Sequence, residues 1–176
     1  AKDDISDLGG FVWSIAEILR GDFKQSEYGK VILPFVVLRA LIALEGSKDA
    51  VLSANDSLPD GVDEATRDMI LFSAVGGNTQ VYNLSRFTFD KLRGQDPRQL
   101  HDNLVDYITN FSTNVRDIFL DKFLFTDQLK RLKDGGILWN VFERLAEIDL
   151  HPDTISNLEM GYLFEELIRR FSEISN

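Results

Sequence analysis

Apolar side chains that return at helical spacing constrain this chain more than any other feature. Leu8, Phe11, Val12, Ile15 and Leu19 stand at i, i+3, i+4, i+7 and i+11, so they share one stripe of a first helix, opened by Asp3 or Asp4 and closed near Gly21. From about Ser26 to Glu45 the run through VILPFVVL (Val31 to Leu38) is apolar almost all round, which predicts a central buried helix. Pro34 lies inside it and should kink it or mark a restart, because proline removes a donor and crowds the preceding turn. Trp13 is expected in the core.

Punctuation divides the remainder. The polar stretch from Gly46 to Gly61 reads as a short helix and an exposed loop, without a domain boundary; Asp63 to Val75 reads as a helix broken by Gly76 and Gly77. Residues 79–83 alternate weakly and make the one plausible extended piece. Asp96 followed by Pro97 is a cap with proline in the first turn, and Leu100, Leu104, Ile108 and Phe111 form the stripe of the helix behind it. Thr126 caps a helix through Lys133 that Gly135 and Gly136 stop, and Ile137 to Ile148 follows. Ser156 and Glu159 make a capping box for a last helix with the stripe Met160, Leu163, Phe164, Leu167, Ile168 and Phe171; Glu165 with Arg169 and Glu166 with Arg170 are spaced as ion pairs. The expectation is an all-α fold: a single helical-bundle domain over residues 1–176, of about seven to nine helices, with at most a short extended segment near 79–83.

Chemistry-bearing motifs are few. Cysteine is absent, and His101 and His151 lie far apart without a helical partner, so neither thiolate nor histidine metal sites are expected. No Walker loop, G-x-G-x-x-G or G-x-S-x-G occurs, and the glycine pairs 9–10, 76–77 and 135–136 fall at predicted helix ends, where breaks and caps account for them. Paired carboxylates such as Asp3 with Asp4 read as solvated faces. No signal peptide or membrane span is read, and a cytoplasmic location is expected. Acidic residues outnumber basic ones by 29 to 19, and the net charge of −10 opposes non-specific attraction to DNA and speaks against a free helix-turn-helix domain. Two basic clusters stand against that background: Lys91, Arg93 and Arg98 around one turn, and Lys130, Arg131 and Lys133 on one helix. Each could touch DNA phosphate or a neighbouring subunit; the second also complements the C-terminal end of its own helix dipole.

Three stretches in order carry a resemblance: LGGFVWSIAEILRG from Leu8 to Gly21, YGKVILPFVVLR from Tyr28 to Arg39, and EMGYLFEELIRRFSE from Glu159 to Glu173. Together they resemble the N-terminal region of the modification (DNA methyltransferase) subunit of type I restriction-modification systems. The resemblance implies a subunit that uses S-adenosylmethionine to methylate adenine at N6 in double-stranded DNA. It also implies partners: a specificity subunit, a second modification subunit and a restriction subunit. The cofactor motif and the adenine-receiving motif would follow after residue 176, so no catalytic, cofactor-binding or metal residue is assigned in this segment, and no cofactor is expected on it. Composition alone would favour a free-standing helical interaction or adaptor domain.

Overall fold

The computed structural model describes residues 2–76 and 80–147. Among them the fold is all-α, as the periodicity predicts. Nine α-helices follow in chain order: α1 (Lys2–Leu19), α2 (Tyr28–Leu41), α3 (Lys48–Asp56), α4 (Glu64–Val75), α5 (Phe89–Arg93), α6 (Leu100–Thr109), α7 (Thr113–Asp117), α8 (Phe125–Asp134) and α9 (Leu138–Ala146). The capping box at Ser156 and the last apolar stripe lie outside the described residues. None of the described helices is long and apolar enough to cross a membrane.

The helices gather into two compact units, one built from both chain ends (residues 1–43 and 123–176) and one from the segment between them (44–122). In the first, α1 packs on α9 and α2, and α8 and α9 pack on α2 and on each other. Phe11, Val12, Ile15 and Leu19 of α1 are buried as their stripe predicts. Each contributes roughly 1.5–3 kcal/mol relative to exposure. Phe35 of α2 meets Phe125 of α8 edge to face at 4.9 Å.

Two expectations are corrected here, those for Trp13 and Thr126, and a third, for Pro34, is narrowed. Trp13 is 68% exposed. At about 100° per residue it stands about 145° from the middle of the buried stripe, so its phase puts it on the outer face. Helix α2 continues through Pro34, so the proline marks no restart, and Val31, Ile32, Phe35, Val36 and Leu38 are buried around it. Proline costs one hydrogen bond, to the carbonyl of Lys30, and the surrounding apolar contacts outweigh that loss. Thr126 does not cap α8: Leu124, in the left-handed region at φ 49°, ψ 45°, precedes a helix that begins at Phe125. Burial of Phe125 draws the first turn two residues earlier than the threonine suggests.

In the second unit α3 packs on α4, and Val51, Leu71 and Tyr82 form a small core with Phe72 against the Tyr82 ring at 5.4 Å. Asp63 caps α4 by accepting from Thr66 N–H at 2.7 Å, and Gly76, at φ 92°, ends the helix in a conformation that favours glycine. The expected extended piece is a single antiparallel bridge, Asn83 with Phe111. Leu100, Leu104, Ile108 and Phe111 are buried, with Phe111 between Tyr107 and Phe119. Phe119 sits on a one-turn π-helix, Ile118–Lys122.

Candidate nucleic-acid interface

Lys91 and Arg93 lie in the last turn of α5, a five-residue helix that Thr88 caps by accepting from Lys91 N–H at 3.2 Å. Both side chains are exposed. Lys91 Nζ reaches back toward the carbonyl of Arg86 at 3.4 Å. Arg98 belongs to the 3-10 turn Pro97–Gln99. Its guanidinium grips the Asp96 carboxylate, with Nη2 to Oδ2 at 2.8 Å, which lowers the Asp96 pKa and raises that of Arg98. Asp96, the cap of this turn, thus also holds the charge of Arg98 in place.

On α8 the three cations divide. Lys130 and Lys133 are exposed and make no ion pair among the described residues. Arg131 stacks over the Phe23 ring at 4.0 Å, donates to the Asp22 carbonyl at 2.7 Å and pairs with the Glu27 carboxylate. The Arg131 hydrogen bond, helped by the backbone N–H of Lys24, pulls the Glu27 pKa down to about 2. Arg131 therefore ties α8 to the turn before α2. The structure brings Lys91 and Arg93 together on α5 and Lys130 and Lys133 together on α8, one pair in each unit.

Behind the α5 cluster lies a polar network that the sequence does not announce. Lys48, 7% exposed at the start of α3, points Nζ at Asn83 Oδ1 (2.5 Å) and at the carbonyls of Ser85 (2.9 Å) and Asn83 (3.4 Å). Glu45 accepts from Tyr107 O–H at 2.6 Å and from Phe89 N–H at 2.8 Å. Burial raises the Glu45 pKa against those bonds, and burial lowers the Lys48 pKa to about 8, so both charged forms are held at a cost. Asn83 also donates to the Tyr107 carbonyl at 2.8 Å, and Ser85 Oγ donates to Asp106 Oδ2 at 2.7 Å. The result is a peg that fixes the non-helical stretch from Asn83 to Phe87 against α3 and α6. Three acceptors close around the Lys48 ammonium, which makes it a structural cation rather than an exposed base. Among the described residues no three His, Cys, Asp or Glu side chains converge as a metal-holding group.

No curated protein and no solved structure matches the chain. Residues 8–145 match the family described as the HsdM N-terminal domain. That span contains the first two of the three resembling stretches and both basic clusters, and it covers well over half of the chain. The chain belongs to the HsdM N-terminal domain family, the N-terminal part of the modification subunit of type I restriction-modification systems.

Proposed function

We propose that this domain is the non-catalytic N-terminal part of a DNA adenine methyltransferase subunit, helping the assembled enzyme to engage double-stranded DNA and to hold its neighbouring subunits. S-adenosylmethionine supplies the methyl group to adenine N6 in a catalytic domain that, in this reading, follows residue 176. The partners are the specificity subunit, a second modification subunit and the restriction subunit, in the cytoplasm. The observation that carries the reading is the family match over residues 8–145. Exposed Lys91 and Arg93 on α5 and Lys130 and Lys133 on α8 supply the charge for phosphate contacts, and exposed Trp13 on α1 supplies apolar surface for a subunit contact.

The test has two arms. Calorimetric titration of this 176-residue chain with S-adenosylmethionine should show no micromolar binding. The full subunit assembled with the specificity subunit should retain duplex DNA better than the same assembly lacking this domain. Micromolar binding of the cofactor to the chain, or equal DNA retention without the domain, overturns the proposal.

A further inference from the structure

Beside α5 and α6, within the second unit, the surface opens into a groove of about 580 Å³ lined by Ser85, Arg86, Lys91, Gln95, Asn103 and Asp106 among others. One wall is the stretch pegged by Lys48, so the backbone that carries Arg86 is held from behind by the bonds to the Asn83 and Ser85 carbonyls. Ser85 is tied twice more, its N–H to Asn83 Oδ1 at 2.9 Å and its Oγ accepting from Phe87 N–H at 3.1 Å. A groove whose wall is this constrained is formed before any ligand arrives.

The lining is rich in hydrogen-bond donors. The Arg86 guanidinium and the Gln95 and Asn103 amides have no partner among the described residues, and Lys91 Nζ has only the long contact to the Arg86 carbonyl. The carboxylate in the lining, Asp106, is occupied by neutral donors: Ser85 Oγ holds Oδ2 at 2.7 Å and the Asn110 amide approaches Oδ1 at 3.2 Å. Two exposed cations and two amides outweigh the single negative charge that Asp106 keeps, and make a site for an oxyanion rather than for a cation or an apolar group. In a chain of net charge −10 this is a local exception, and it lies on the same short helix end that carries Arg93.

We propose that this groove seats a backbone phosphate of duplex DNA, with Arg86 and Lys91 as the charged contacts and the Gln95 and Asn103 amides as neutral donors. The inference rests on the DNA-engaging reading above and assigns it a place. Such contacts position the duplex without reading its sequence.

The test uses the full modification subunit assembled with its specificity subunit, on a duplex bearing its target and on an unrelated duplex of equal length, across a salt series. Arg86→Gln with Lys91→Gln should weaken both complexes by a similar factor and reduce the slope of log affinity against log salt by about 0.9 per cation removed. Arg86→Lys with Lys91→Arg should restore the slope, and Arg98→Gln, whose charge Asp96 holds, should leave it unchanged. Both cations are exposed, so thermal melting should match the parent. An unchanged slope in the double glutamine variant, while the parent binds DNA normally, overturns the groove alone. Loss of the specificity subunit during purification, with DNA affinity intact in assemblies that survive, assigns the groove to an acidic protein segment and overturns it too. Inorganic phosphate binding that duplex DNA does not displace assigns the groove to a free anion and likewise overturns the proposal. A parent assembly that gains no DNA affinity from this domain sinks the underlying reading first.

Discussion

Lys48 shows what a single side chain contributes when it is buried for its charge. Its ammonium satisfies the Asn83 amide oxygen and two backbone carbonyls, and removing it strands acceptors in a closed space. Lys48→Met should therefore destabilise the fold by about 1–3 kcal/mol near neutral pH. The pH dependence has a definite sign. The folded pKa of about 8 lies below the ordinary 10.5, so between these values the unfolded chain binds more protons, and the contribution of Lys48 to stability rises with pH. Urea midpoints for parent and Lys48→Met should diverge further at pH 9.5 than at pH 7.5; parallel midpoints would contradict the burial of a charged lysine. Nothing in the sequence marks Lys48, because it follows Gly46 and Ser47 in a polar stretch and its partners lie 35 and 37 positions away. Arg86 is hidden for a related reason: it stands alone in a non-helical segment, and only the peg beneath it gives it a fixed place. Trp13 is the opposite case, since its helical phase foretold exposure although its residue type suggested the core.

Helix α8 illustrates how an element's position can be legible while its attachment is not. Lys130, Arg131 and Lys133 look alike in sequence, as cations near a helix C-terminus. Only Arg131 finds Glu27, 104 positions earlier, and with it the Phe23 ring. The depressed Glu27 pKa of about 2 means that this contact stabilises above pH 4.5 and fades as pH falls toward 2. Glu27→Gln should flatten the loss of stability between pH 5 and 2.5, measured by denaturant midpoints. Arg131→Gln should flatten it as well, because either change removes the same pair. The long helices α1, α2, α4 and α6 were readable from stripes and caps. The five-residue helices α5 and α7 were not, since five residues hold little more than one turn of the period. The π-turn after α7 escapes for the same reason, and only burial of Phe119 explains why it is kept.

At the scale of the molecule, the all-α class follows from periodicity, but the division into two units does not. No proline- or glycine-rich linker marks residue 43 or residue 123, and what separates the units is which helices share a core. Residues 44–122 are continuous and contain their own buried set, including Val51, Leu71, Leu104, Tyr107 and Phe119, so this segment expressed alone should be soluble and helical by circular dichroism. Residues 1–122 should instead aggregate, because α2 would keep its apolar faces without α8 and α9 to cover them. Soluble, monomeric behaviour of the longer fragment would refute that account. The interrupted layout also orders events on the ribosome. The nascent chain emits α1 and α2 first, yet their covering helices begin only at Phe125, after the whole middle segment has been translated. At bacterial or slower elongation rates that delay is roughly 4–16 s. During it the inserted unit can mature while the flanking one waits half-built, so holdase chaperones should favour nascent chains stalled in that interval.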